Sequence, residues 1–213
     1  WPASSANVLA VGGTTLYTAG SGFSYAGEAV WSGGGGGLSQ YVNEPSFQSS
    51  VQSTGARSTP DVSLDAAPYS GSLVFGTPPS TGQWGWQIAA GTSASTQVWA
   101  ALIGIANQGR QIAGQSTLDG PSQTLPAIYS LPSVDFHDVT QGSNGYRGVS
   151  GYDLATGRGT PVAALVIRDL VNFGGTTTVT TAFGTVRSAA RVAPSLASTA
   201  PAGRARHAKS GRR

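Results

Sequence analysis

Residues 84–108 read WGWQIAAGTSASTQVWAALIGIANQ. An apolar, strand-like run from Trp84 to Ala90 meets the small-residue turn Gly91-Thr92-Ser93-Ala94, and a densely apolar helical run follows from Ser95 to Gln108. A serine held between a buried strand and the N-terminus of a buried helix is a recurrent way of presenting a nucleophile. Glycine permits close backbone approach, and the helix end offers unpaired N–H groups with a partial positive charge. An anion formed at an attacked carbonyl would be stabilised there. Gly-Thr-Ser also occurs in ordinary turns, so the stretch by itself leaves both readings open.

Working outward, the helix carries Val98, Trp99, Ala101, Leu102, Ile103, Ile105 and Ala106, apolar nearly all round, which places it inside a domain. Upstream, Pro60 to Ala66 reads as a strand closed by Pro68-Tyr69-Ser70-Gly71, and a hairpin-like stretch holds Pro78-Pro79 and Thr81-Gly82. Asp61 and Asp65 read as turn or cap acceptors at strand ends. Asn7 to Leu16 reads as a short strand, a Gly-Gly turn and a second extended piece, and Pro45 to Val51 as a short helix. The glycine run 33–37 is no phosphate cradle, because no Lys-Ser or Lys-Thr follows it. Downstream, Ser122 to Leu131 is a short helix and Asp135 to Thr140 a strand leaving into a polar loop. The last helix has Thr160 as N-cap, Pro161 at its first position, and Val162, Leu165, Val166, Leu170 and Phe173 at helical spacing. Strands alternating with helices predict an α/β layered domain.

The 213 residues, 39% hydrophobic and only 10% charged, suffice for a substantial core. The absence of cysteine excludes a disulfide framework, thiolate zinc and a thiol nucleophile. No apolar run is long enough to span a bilayer. A chain without methionine that opens Trp1-Pro2-Ala3 reads as a processed product or a fragment. Charge is divided unevenly: residues 1–173 hold five arginines against nine acids, a balance of −4, whereas residues 174–213 hold six arginines and Lys209 without an acid, +7. That second segment, rich in threonine, alanine, serine and proline, reads as a disordered basic tail. It lacks the interleaved aromatics of a base-stacking surface, so no nucleic acid partner is expected; binding of an anionic polymer by the tail is the competing reading.

A nucleophilic Ser93 needs a base. His207 lies in the tail, and His137, flanked by Asp135 and Asp138, reads as a partly buried histidine beside a strand end. The subtilisin order Asp, His, Ser cannot be met, since both histidines follow Ser93. The base is a carboxylate, lies elsewhere, or does not exist. Asp138 and Asp153 bracket a glycine-rich loop in which carboxylates, with the Val139 and Gly151 carbonyls, could gather oxygens for calcium. Spacing alone equally fits two turn-forming aspartates.

Taken together these residues resemble a family. The series runs from Trp1-Pro2-Ala3-Ser4-Ser5 and Ala10-Val11-Gly12-Gly13-Thr14 through Glu28-Ala29-Val30-Trp31 and Pro60-Asp61-Val62-Ser63 to Ala90-Gly91-Thr92-Ser93-Ala94-Ser95. It continues with Phe136-His137-Asp138-Val139-Thr140, Gly142-Ser143-Asn144-Gly145, Gly151-Tyr152-Asp153 and Ala155-Thr156-Gly157. In order and spacing it is similar to the sedolisin family of serine-carboxyl peptidases, over residues 1 to about 173. The resemblance implies a subtilisin-like layered α/β fold with a mostly parallel sheet flanked by helices. It implies Ser93 as nucleophile, and a calcium ion held by Asp138 and Asp153 and by the Val139 and Gly151 carbonyls.

Two local departures stand out: Val149 occupies a position where the family has a carbonyl-donating glycine, and Gln97 one where it has proline. The larger departure concerns the family's base, a glutamate with an aspartate four residues on, and its oxyanion aspartate in a Ser-Gly-Asp turn. Neither pattern occurs, since Glu28 and Glu44 are followed four residues on by Ser32 and Gln48. The chain therefore reads as the C-terminal portion of a peptidase domain (1–173) followed by the basic tail (174–213). Its expected partners are peptide or protein substrates and the upstream part of the same domain. The enzyme is expected to be secreted and to act at acidic pH. A non-catalytic scaffold or binding protein of the same fold is the alternative.

Overall fold

The computed structural model describes residues 1–77, 82–181 and 184–189, the last two stretches giving backbone only from residue 176 on. The chain divides into two units, Trp1–Gly175 and Thr176–Arg213.

At the centre of the first unit lies β1 (Val11–Ala19), paired antiparallel with β2 (Ser24–Val30) from Thr14↔Val30 to Ala19↔Ser24. The Gly-Gly turn expected within it is absent. Gly12 and Gly13 sit inside the strand, because a Cβ on Gly12 would lie 2.5 Å from the Ser63 Oγ and one on Gly13 would lie 2.7 Å from the Ala66 Cβ. These glycines permit close approach and do not reverse the chain. Next come β3 (Gly37–Asn43), a single 3-10 turn at Ser46–Gln48, and β4 (Ala56–Thr59), which pairs antiparallel with β3. Then β5 (Val62–Asp65) runs parallel to β1, Val11↔Val62 through Thr14↔Asp65.

That is the one parallel pairing of named strands among the described residues, so the expected mostly parallel sheet is corrected. The architecture is mixed α/β, a three-stranded sheet β2-β1-β5 accompanied by small antiparallel pairs. One of these pairs is β6 (Ser72–Gly76) with β7 (Gly85–Ala89). The residues between Pro78 and Thr81, expected to form its turn, lie outside the described residues. The strand expected to be buried is exposed instead, with Trp86 at 70% of its free surface.

Helix α1 (Thr92–Ile112) buries Ser95, Trp99, Leu102, Ala106 and Arg110, one face at helical spacing. Its other face carries Val98, Ile105 and Ile112 outward, the last at 82%, so the helix is not enclosed all round as expected. A π-turn at Gly120–Thr124 leads into α2 (Leu125–Ser130). Two short strands, β8 (Phe136–His137) and β9 (Thr160–Pro161), pair antiparallel. The last helix of the unit, α3 (Ala163–Asn172), begins later than predicted. Thr160 does not cap it, because Thr160 and Pro161 are committed to the ladder with β8. One core joins Val62 of the sheet, Trp99, Leu102 and Ala106 of α1, Ile128 of α2, Phe136, and Val166 and Leu170 of α3.

In the second unit, β10 (Thr176–Thr181) and β11 (Gly184–Ala189) form an antiparallel pair, where disorder was expected from composition. The threonines and valines of these strands, β-branched, suit an extended backbone. The rest of the basic segment, 190–213, lies outside the described residues.

Candidate functional site

The turn ahead of α1 is built by Gly91, whose φ of +84° is open to glycine and strained for other residues. Its N–H donates to the Ala66 carbonyl at 2.7 Å, which ties the turn to the end of β5. The Ala94 and Ser95 N–H groups turn back onto the Gly91 carbonyl, whereas those of Thr92 and Ser93, first in the helix, have no intrahelical acceptor. Buried Ser95 donates its hydroxyl to the Asp65 carbonyl at 2.9 Å and fixes the helix end against the sheet. Ser93 is exposed, no acidic residue stands in the first turn, and among the described residues its hydroxyl has no hydrogen-bond partner. The result is an accessible hydroxyl at the positive end of a 21-residue helix.

Alternation along β1 separates this serine from the chain's own candidate bases. A Cβ on Gly13 would point at Thr92 and Trp31, 3.2 and 2.9 Å away. The next residue, Thr14, points to the opposite face and donates to Glu28 Oε1 at 2.7 Å. Glu28 Oε2 accepts from the Thr160 hydroxyl and, at 3.4 Å, from Tyr25. The His137 ring stacks on Tyr25 with centroids 3.9 Å apart. Glu28 and His137 thus line one pocket with Tyr25, Asp65 and Thr160, on the far side of the sheet from Ser93. Burial raises the Glu28 carboxyl above the usual carboxylate range against the lowering effect of its hydroxyl donors. Burial and the Glu28 charge push the Tyr25 phenol up to about 12. Nothing in the order of residues along the chain revealed this cluster, because its members come from β1, β2, β5, β8 and β9.

The four residues expected to hold a cation lie on the loop from Asp138 to Asp153. Asp138 Oδ2 accepts from the Gly151 N–H at 2.9 Å and the Ser150 hydroxyl at 3.2 Å. Asp153 Oδ2 accepts from the Val149 N–H at 2.9 Å, and its Oδ1 from Ala155 N–H, Thr156 N–H and the Thr156 hydroxyl. Val139 is buried, and the Gln141 carbonyl two residues on accepts from the Val30 N–H at 2.8 Å, fastening the loop to β2. In the geometry described, both aspartates organise loop N–H groups. No cluster of three or more His, Cys, Asp or Glu side chains suited to a metal occurs among the described residues.

A further network also escaped sequence reasoning. Asp61, read as a turn acceptor, is fully buried and paired with Arg57 at 2.6 Å.

Comparison with known proteins gives a consistent set. No protein-family model matches the chain. It is 42% identical over 173 residues to sedolisin of Pseudomonas sp. (strain 101), covering 74% of this chain and 27% of that protein. It is 35% identical over 181 residues to xanthomonalisin of Xanthomonas sp. (strain T-22), covering 74% and 20% respectively. It is 32% identical over 193 residues to kumamolisin of Bacillus sp. (strain MN-32), covering 80% and 32%. Among solved structures, Pseudomonas sedolisin, a serine-carboxyl proteinase complexed with two molecules of pseudo-iodotyrostatin, matches with a TM-score of 0.62 and 37% identity. That match covers 80% of this chain and 47% of the solved one. The chain thus spans between a fifth and a third of the length of these curated relatives.

Proposed function

This chain belongs to the sedolisin family, and on that premise we propose that it carries the nucleophile of a serine-carboxyl endopeptidase. The observation that carries the reading is Ser93, accessible and without a side-chain hydrogen bond among the described residues, at the N-terminus of α1 within the family's Gly-Thr-Ser turn. In the reaction a base takes the Ser93 hydroxyl proton as Oγ attacks the peptide carbonyl carbon. The C–N bond breaks, the amine leaves with a proton, and water then hydrolyses the acyl ester and regenerates the serine. The Thr92 and Ser93 end of the helix favours negative charge on the carbonyl oxygen.

The base is a carboxylate outside the 213 residues, in the larger part of the relatives that this chain does not match. Glu28 and His137 lie across the sheet and do not serve. Exposed apolar surface supports a packing partner from the same catalytic domain. Leu73 pairs with Ile88 and Phe75 with Trp86 on one hairpin face, while Val98, Ile105 and Ile112 line α1. A carboxylate base that must be ionised beside protonated acids suits acidic pH, and so a secreted or lysosome-like setting. No helix among the described residues is long and apolar enough to cross a membrane.

Peptide hydrolysis at about pH 4 is the test. The 213-residue chain alone is expected to show no Ser93-dependent turnover. The chain joined to its upstream region is expected to hydrolyse peptides and to lose at least about 10³-fold in rate on Ser93→Ala. Turnover indifferent to that substitution would sink the assignment.

We further propose that the 138–153 loop holds calcium. The donor set is all oxygen, as a hard cation requires. The exposed Asp138 has Oδ1 without a partner among the described residues, and Asp153 is oriented by four donors. Calcium would supply charge neutralisation and cross-linking of the loop, apart from the chemistry at Ser93. Free calcium at a hundredfold excess over Kd is expected to stabilise the chain by about 2.7 kcal/mol. Chelator should remove that gain, and Asp153→Ala should abolish the response. A melting curve indifferent to both calcium and chelator would refute the site.

A further inference from the structure

Asp135 is the least explained polar side chain of the fold. It is fully buried, and among the described residues neither carboxylate oxygen has a hydrogen-bond partner. Its main chain is well used: the N–H donates to the Pro132 carbonyl at 3.1 Å, and its carbonyl accepts from the Val162 N–H at 2.8 Å. The residue therefore fastens the lead into β8 to the start of α3, while its side chain has no hydrogen-bond donor among the described residues. A bare carboxylate in that position is strongly disfavoured, and a neutral carboxyl is not.

The charged groups that face it are Asp169 and Arg168 from α3 and Arg158 from the approach to β9. Neither arginine donates a hydrogen bond to it, and their charges offset the upward effects of burial and of Asp169 only in part. Arg168 grips Asp169 through Nε at 2.5 Å and Nη2 at 3.0 Å. Arg158 donates to the Ile128 and Leu131 carbonyls, both at 2.7 Å, and lies 4.6 Å over the Phe136 ring. What remains opposite Asp135 is a second carboxylate whose charge is held in place by its own arginine.

We propose that Asp135 and Asp169 form a proton-dependent latch between the β8 lead and helix α3. It is closed when Asp135 carries a proton and can donate it to the Asp169 carboxylate, and weakened when both are charged. Two carboxylates with one proton between them are a stable arrangement, whereas two adjacent negative charges repel. The directions of titration agree. Burial first, and then the Asp169 charge, raise the Asp135 carboxyl above the usual range, while Arg168 holds that of Asp169 below it. A carboxyl raised on folding binds its proton more tightly in the native state than in the unfolded one. Its contribution is therefore complete below the unfolded pKa and is lost as pH rises through the native one. The latch makes this fold firmer in acid, the reverse of a salt-bridged aspartate. The inference stands apart from the peptidase reading, since it concerns stability and not turnover.

Thermal unfolding of the whole chain from about pH 4 to about pH 7 tests it, with Asp135→Asn as the comparison, because the amide can donate to Asp169 at any pH. The melting temperature of the unaltered chain is expected to fall relative to the variant as pH rises, opening a gap of about 3–5 °C. Parallel profiles would overturn the latch. The unaltered chain also decides the matter independently of the variant's folding, through the carboxyl ¹³C resonance of Asp135. Its midpoint is expected above the usual carboxylate range and should drop in Asp169→Asn. A midpoint within or below that range overturns the proposal.

Discussion

Replacing Asp61 by asparagine is expected to destabilise the fold by about 3–5 kcal/mol, measured by urea unfolding at constant pH. Asp61 Oδ1 accepts from Arg57 Nη1 at 2.6 Å, Tyr129 OH at 2.6 Å and Gln48 Nε2 at 3.4 Å. Its Oδ2 accepts from Arg57 Nη2 and the Ala10 N–H, each at 2.7 Å. Arg57, Asp61 and Gln48 are wholly buried. Burial alone would lower the Arg57 pKa, but the Asp61 carboxylate outweighs it and holds the guanidinium above its ordinary value. Burial and the Asp61 charge likewise drive the Tyr129 phenol far up.

Asparagine keeps the shape and one acceptor but removes the charge, leaving a guanidinium buried without its counter-ion. The effect arises from that orphaned cation more than from a lost attraction, so Arg57→Met combined with Asp61→Leu should cost less than the two single changes summed. A loss below about 1 kcal/mol for Asp61→Asn would place the pair among ordinary exposed ion pairs and refute the account.

This network also marks where sequence reading stops. Asp61 stood as a turn or cap acceptor because it lies at a strand end. Arg57 four residues earlier has meaning as a partner only once β4 and β5 are known to bend around it. The turn ahead of α1 was legible because its information is local: Gly91, small neighbours, and a long apolar run whose buried positions 95, 99, 102 and 106 keep helical spacing. The helix's exposed side was not legible, since apolarity at Ile105 and Ile112 says that something covers them and not what. Gly12-Gly13 misled for a related reason. Glycine serves both reversal and close approach, and only the proximity of Ser63 and Ala66 distinguishes them. Thr160 likewise has a hydroxyl suited to a helix cap, yet spends it on Glu28, 132 residues away.

The second large effect is expected at Gly159, where alanine should cost about 4 kcal/mol or more and abolish the calcium response proposed for the 138–153 loop. Gly159 has a φ of +94°, and an added Cβ would lie 2.1 Å from the His137 carbonyl oxygen and 3.0 Å from its carbon. Those obstacles are backbone atoms of β8, paired through His137↔Thr160, so they cannot turn aside as a side chain would. Displacement of Gly159 would also break the 2.9 Å bond from the Ser63 N–H to its carbonyl, the link between β5 and the end of the loop. Gly145→Ala is the matched control. Its φ of +108° is equally unsuited to alanine, but nothing lies within 4 Å of the added Cβ. The control should therefore carry the conformational penalty alone, about 1–3 kcal/mol, with the calcium response kept. Equal losses at the two positions would mean that backbone conformation, and not the close approach of Gly159 to β8, governs this part of the fold. A retained calcium response in Gly159→Ala would mean that Asp138 and Asp153 hold their relative positions without the β8–β9 ladder between their ends.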